Sequence, residues 1–227
     1  MNPSFSQLPF NFCITKLQKD LEICENNSWI PHFNKQRYEG NWTSISLRSN
    51  SGLSNDIYSF PNKEYKNTVV LDQCYYFKEI VDWFKCEKEA VRVLKLDPNS
   101  EIKEHTDNDT SYDEGFFRIH IPIVTNSEVF FYVNKERVPM KMGECWYANF
   151  QVPHSVENRS FEPRVHLTID CIRNAWSDEL FATMGFDINY SSNKNQYSDE
   201  VKQQIIAELS RNQSEIAAKL IANLQAK

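Results

Sequence analysis

The sequence predicts a mainly β chain: an antiparallel barrel or sandwich with helices before and after it. Three observations carry this expectation. Between residues 90 and 173, short stretches alternate apolar and polar residues, the period at which strand side chains fall on opposite faces. Short turns such as Asn134-Lys135-Glu136 and Met142-Gly143-Glu144 link these stretches without intervening helices, which favours antiparallel pairing. Outside that region the apolar spacing becomes helical.

Taken in order, residues 12–27 carry Phe12, Ile14, Leu17, Leu21 and Ile23 and predict an amphipathic helix ending near Asn26-Asn27. Residues 31–40 read as loop. In 41–48, Trp42, Ser44 and Ser46 alternate with Thr43, Ile45 and Leu47, which predicts a strand. The Ser, Asn and Gly of 49–62 mark a loop, and this loop or the N-terminal region is a candidate lid. Residues 67–71 predict a short strand, and 75–84 a helix with Phe77, Ile80, Val81 and Phe84 on one side. Strands follow at 90–97, 101–107, 116–126, 128–134, 145–150, 154–158 and 163–172, with turns at 98–100 and an acidic loop after Asp107. Beyond Asn174, AWSDELFATMG predicts a helix stopped by Gly185, 187–196 a polar linker, and Ser198 the cap of a long helix. That helix would carry Ile205, Leu209, Ile216, Leu220 and Leu224. The division expected is a β domain over 1–174, with its core at about 42–173, and a helical extension over 175–227.

With 227 residues the chain has the length of one domain, or of one domain with an appendage. Only 5 glycines are present, so Asn, Asp and Ser must supply many turns. A net charge of −6 argues against a nucleic-acid or anionic-membrane partner. No apolar run has the length of a membrane span, and the N-terminus lacks the basic and apolar regions of a secretory signal. The 6 cysteines are scattered with no CxxC, which fits reduced thiols and a cytoplasmic location rather than a disulfide framework or zinc site.

The chemistry-bearing residues concentrate in four blocks. His105 and Asp107 are two apart, so on a strand they face the same way while Thr106 faces away. His154 follows from a distant strand. Two imidazoles and one carboxylate form a facial ligand set that leaves positions open and suits Fe(II). An HxD triplet is short and common by chance, so the rest of the chain must support it. In FFRIHIPIV, Arg118 and His120 share a face opposite Ile119, Ile121 and Ile123; in RVHLTID, Arg164, His166, Thr168 and Asp170 oppose Val165, Leu167 and Ile169. A solvated outer face is the ordinary reason for such alternation. Solvated faces favour Lys, Glu, Thr and Ser, however, and these two pair Arg with His. Arginine grips a carboxylate through two parallel hydrogen bonds, which suggests a dicarboxylic co-substrate. His120 and His166 are alternative ligands, although a strand histidine is more often a hydrogen-bonded core residue. The acidic run DNDTSYDEG lacks the glycine and flanking helices of a calcium loop and reads as a solvated turn. Among Trp146, Tyr147 and Asn149, most belong to the core and one is a candidate for the pocket wall.

The ordered blocks LDPNSEIKEHTDN, FFRIHIPIVTN, MGECWYANFQVPHSVEN and RVHLTIDC, spanning about residues 90–173, resemble the aspartyl/asparaginyl β-hydroxylase family, which includes bacterial hydroxylases of proline and other amino acids. The resemblance implies a double-stranded β-helix (jelly-roll, cupin-like) and an Fe(II)- and 2-oxoglutarate-dependent dioxygenase that consumes O2. It implies His105, Asp107 and His154 as catalytic metal ligands and Arg164 as the clamp on the far carboxylate of 2-oxoglutarate. Arg118 and His120 match a co-substrate-contacting pair, and His166 stands beside them as a further cofactor-binding candidate. Where the family often has Pro-Gly-Ser, this chain has Pro98-Asn99-Ser100, a turn change with no catalytic consequence. The substrate implied is an amino acid or an aminoacyl or peptidyl side chain. The alternative is a catalytically silent metal- and 2-oxoglutarate-binding sensor or interaction protein. The C-terminal helices lie outside the resemblance and are candidates for a homodimer contact.

Overall fold

In a computed structural model of the chain, residues 2–60, 63–190, 199–211 and 221 are described. Two compact units are present, Met1–Tyr190 and Ser191–Lys227. The first holds strands β1 (Phe5–Asn11), β2 (Ile30–Pro31), β3 (Tyr38–Glu39), β4 (Trp42–Ser49), β5 (Lys66–Asn67), β6 (Lys88–Leu96) and β7 (Ser100–His105). It continues through β8 (Phe116–Val124), β9 (Val129–Val133), β10 (Glu136–Arg137), β11 (Glu144–Ala148), β12 (His154–Asn158) and β13 (Arg164–Ile172). Its helices are α1 (Ile14–Glu25), α2 (Val69–Gln73), α3 (Tyr75–Trp83) and α4 (Ala175–Thr183); the described helix of the second unit is α5 (Asp199–Leu209).

The strands form two antiparallel sheets, as a jelly-roll requires. One runs β1-β11-β8-β13-β6-β4-β2 with β5 on β4, the other β10-β9-β12-β7-β3. The alternation read in the sequence sets their faces. Ile119, Ile121 and Ile123 of β8 and Val165, Leu167 and Ile169 of β13 are buried in a cluster with Leu17, Leu71, Phe77 and Phe181 of the helices. Each such side chain contributes about 1.5–3 kcal/mol of gross transfer energy. Trp42, Leu96 and Trp146 of the larger sheet pack with Ile102, Phe131, Val133 and Val156 of the smaller one. The larger sheet therefore has helices on one face and the second sheet on the other, and the Arg- and His-bearing face points inward between the sheets rather than to solvent.

Local chemistry places the helices. α3 has no capping side chain of its own. Asp20 of α1, 5% exposed, accepts from the N–H groups of Tyr76 and Phe77 at 2.8 Å each, which caps α3 and accounts for a buried acid. α4 starts with a reciprocal capping box between Asn174 and Ser177. It stops before Gly185, whose φ of +83° is the left-handed conformation open to glycine.

Several expectations change. Residues 67–71 do not form a strand. β5 ends at Asn67, and the Thr68 hydroxyl accepts from Leu71 N–H at 3.4 Å to open α2. Burial of Val70 and Leu71 in the helical cluster overrides the β preference of the Thr-Val-Val run. The N-terminal region is an edge strand on β11, not a lid. The break expected at 174/175 falls after Tyr190, because Phe181 and Phe186 sit in the first unit's core. Ser198, Ile216, Leu220, Leu224 and most of the 187–196 linker lie outside the described residues.

Candidate active site

β7 and β12 are antiparallel neighbours, and their register sets His105 opposite His154. The two rings lie 4.2 Å apart, centroid to centroid. Asp107 stands just past the end of β7, where its N–H donates to the Phe150 carbonyl at 2.8 Å. One donor atom from each of His105, Asp107 and His154 lies within 4.8 Å of the others. The ring orientations are fixed from behind. Nδ1 of His105 is 2.7 Å from the Lys103 carbonyl, and Nδ1 of His154 is 3.0 Å from that of Val152. A carbonyl only accepts, so each ring carries its proton on Nδ1 and offers the Nε2 lone pair to a cation.

Charge supports the same use. Burial, with His105 nearby, lowers the His154 imidazole to about 4, so it is neutral at pH 7. Burial alone pushes the Asp107 carboxyl up, but Arg118, His154, His105 and Arg37 outweigh it and hold the group below the ordinary carboxylate range. Two imidazole nitrogens and one carboxylate oxygen on one side of a cavity are the donor set of an Fe(II) site with open positions. His120 and His166, the alternative ligands, are not part of this cluster.

They belong to the cavity's anion end. Arg164, 2% exposed, opens β13 and forms no ion pair among the described residues; burial pushes its guanidinium down to about 9. Its Nη2 is 2.8 Å from His166 Nδ1. A guanidinium only donates, so His166 Nδ1 accepts and the His166 proton sits on Nε2. His120 Nδ1, 3.3 Å from the same atom, must then be a donor. Burial and Arg164 hold both imidazoles far below their usual range, hence neutral. His120 Nε2, His166 Nε2 and Arg164 Nε are buried without hydrogen-bond partners. By these tautomers His166 Nε2–H and Arg164 Nε–H are unpaired buried donors, which beside an unpaired cation form a pocket suited to an anion, whereas His120 Nε2 carries a lone pair. Arg164, His120 and the three candidate ligands line one cavity of about 60 Å³.

Arg118 and His120, expected as a pair, serve different groups. Arg118 Nε donates to Asp170 Oδ1 at 2.5 Å, and its Nη1 lies 3.8 Å from Asp107 Oδ2. Arg92 Nη2 reaches Asp170 Oδ2 at 2.6 Å. Burial opposes the charge of both arginines. Asp170, with Asp107 and Glu89, more than offsets this at Arg118, whereas burial prevails at Arg92. Arg37 donates to Asp107 Oδ1 at 3.0 Å. Outside the metal cluster these guanidiniums, with Trp42 and His32, line a mouth of about 310 Å³. His32 stacks on Trp42 at 3.6 Å, and burial lowers it to about 4. Sequence reasoning missed Arg37, Arg92, Asp170 and His32 as site residues. The alternation did carry a signal for two of them: Arg92 opposes Val91 and Val93, and Asp170 shares the face of Arg164.

Residues 14–174 match the family model described as aspartyl/asparaginyl beta-hydroxylase. L-proline cis-4-hydroxylase from Rhizobium meliloti (strain 1021) is 29% identical over 144 residues, 62% of this chain and 51% of that protein. The chain thus spans about half the length of this curated relative. An oxidoreductase of the 2OG-Fe(II) oxygenase family from Burkholderia pseudomallei has a similar fold, with a TM-score of 0.53 at 11% identity, over 75% of this chain and 86% of that one. With the family model covering α1 to α3, β2 to β13 and every residue of the cluster, the chain belongs to the aspartyl/asparaginyl β-hydroxylase family.

Proposed function

We propose that the protein is an Fe(II)- and 2-oxoglutarate-dependent hydroxylase acting on an unactivated carbon of an amino acid, free or as an aminoacyl or peptidyl side chain. The observation that carries this reading is the convergence of His105, Asp107 and His154 on one side of a cavity whose wall also holds the unpaired, buried Arg164. When bound, iron with 2-oxoglutarate and O2 supplies the oxidant that converts C–H to C–OH, with succinate and carbon dioxide as co-products. The chain's own residues do the rest. His105 and His154 present Nε2 because backbone carbonyls hold Nδ1. Arg164, with the His166 Nε2–H beside it, binds the far carboxylate. Phe131, Phe150 and Val156 keep bulk water from the cavity.

The mouth supports a substrate bearing a carboxylate. Three guanidiniums, those of Arg37, Arg92 and Arg118, face two carboxylates, Asp107 in the wall and Asp170 behind Arg92 and Arg118, which leaves one positive charge in excess, and Trp42 offers an apolar face. A free amino acid fits this chemistry, and proline is the first to screen, given the relative above. The loop through Ile57 and Ser59 lines the same mouth and is the candidate lid. Anaerobic addition of Fe(II) and then 2-oxoglutarate should give a weak visible charge-transfer band, and succinate release should then appear with one amino acid of a panel. Binding of both without turnover on any amino acid or peptide would favour the sensor instead.

No helix among the described residues is long and apolar enough to cross a membrane. A cytoplasmic location is supported by six cysteines that are all unpaired. Homodimerisation through the C-terminal helices is supported by Ile205 and Leu209 at helical spacing on α5. Sedimentation of the full chain against one ending at Tyr190 tests it.

A further inference from the structure

Arg164 is reached by two cavities. One is the small cavity it shares with the metal cluster. The other, of about 450 Å³, lies under the link that follows β10 and is lined by Thr125, Phe131, Val138, Met140, Arg164 and His166, among others. The mouth and this lateral cavity have no lining residue in common. The metal cavity shares His105, Asp107 and Arg118 with the mouth, but Phe131 and Arg164 with the lateral cavity. The three therefore lie in series, with Arg164 in the wall between the last two. Arg137 and Lys141 stand exposed on the lateral rim, and no acid lines it. Positive charge at a rim leading to an unpaired buried guanidinium attracts small anions. The buried Nε of Arg164 and Nε2 of His166, both without partners, await an acceptor there.

We propose that the lateral cavity is the route by which the dicarboxylate reaches and leaves Arg164, separate from the mouth that takes the substrate. This rests on the reading of the cavity as a 2-oxoglutarate site. Two openings let the dicarboxylate exchange while substrate or product still occupies the mouth; a single opening would force strict order.

The test is stopped-flow mixing of the anaerobic Fe(II) protein with 2-oxoglutarate, followed by the visible absorbance of the complex. Met140→Trp and Thr125→Trp fill the lateral cavity, and Ser59→Trp fills the mouth; melting temperatures near wild type show that each is folded. The lateral variants should slow association and dissociation together by roughly tenfold, leaving the equilibrium constant nearly unchanged, while Ser59→Trp keeps the wild-type rate. Wild-type rates in both lateral variants, or slowing in Ser59→Trp alone, overturn the route while leaving the co-substrate reading intact. No absorbance even in the wild type removes the co-substrate reading, and the route with it.

Discussion

Asp170→Asn tests the electrostatic frame of the mouth. The carboxylate is 1% exposed and takes hydrogen bonds from Arg118 at 2.5 and 3.1 Å and from Arg92 at 2.6 Å. An amide keeps the shape but removes the charge and turns one acceptor into a donor facing guanidinium donors. Removing one partner from a buried ion pair costs about 3–5 kcal/mol, because the remaining charge is left uncompensated. For a domain of this size, about 1 kcal/mol corresponds to roughly 2–4 °C, so the metal-free variant should melt roughly 6–20 °C lower. Urea unfolding of the metal-free proteins measures the loss directly. The loss should also depend on pH. Arg118 and Arg92 overcome burial and hold the Asp170 carboxyl below its ordinary value of 3.8. A depressed carboxylate stabilises above its unfolded-state value, and that stability is lost as pH falls through the folded value. The gap between wild type and variant should therefore narrow on acidification below about pH 4. A second readout is Co(II) affinity. Arg118 already lies 3.8 Å from Asp107 Oδ2, and without Asp170 it would compete with the metal for that carboxylate. A stability loss under about 1 kcal/mol with unchanged Co(II) affinity would refute the reasoning, since it would mean that water already solvates both guanidiniums.

Other expectations follow from the same geometry. His154→Ala should abolish Co(II) binding by calorimetry, whereas Arg164→Ala should keep the metal and raise only the 2-oxoglutarate requirement; equal metal loss in both would contradict the assigned roles. Phe181→Ala should destabilise by about 3–5 kcal/mol in urea, since the ring is fully buried and stacks on Tyr112 at 3.8 Å; a loss typical of a surface site would detach α4 from the core. The metal-free protein should lose stability as pH falls below about 6.5. His120 and His166 are held below that value when folded, so the unfolded chain takes up protons first, at about 1.4 kcal/mol per pH unit for each group. The pH slope of His120→Asn with His166→Asn should be shallower, and an unchanged slope would exclude these rings as its source.

The strands of the core were legible because their alternation is strict: one side of β8 and β13 is aliphatic and the other carries Arg, His and Asp. The grouping of His105, Asp107 and His154 was legible from the two-residue spacing of the first pair and from a histidine on a later strand, although Asp107 falls just past the end of β7 rather than on it. What stayed hidden depends on contacts across the chain. No local pattern shows that Asp20 caps α3, or that Arg37 reaches Asp107 over 70 positions. β1 was missed because Pro9 and the polar residues of FSQLPFN dilute its pattern, although Leu8 is 1% exposed. The run 67–71 misled because Thr and Val favour strands until Thr68 acts as a cap. Arg118 and His120 looked like one device because they share a face, yet Asp170 and His166, their respective partners, are four residues apart on β13.

The N-terminal strand bears on how the protein can be handled. β1 covers the outer side of β11 from Phe5 opposite Ala148 to Asn11 opposite Glu144, and the Asn149 N–H donates to the Ser4 carbonyl at 2.8 Å. A chain trimmed back to Cys13 would leave the flank of β11 open, with a row of unanswered amides beside Trp146 and Tyr147. Such an edge recruits strands from other molecules. Trimming the front of this protein in search of a minimal folded piece should therefore yield aggregates rather than a smaller domain.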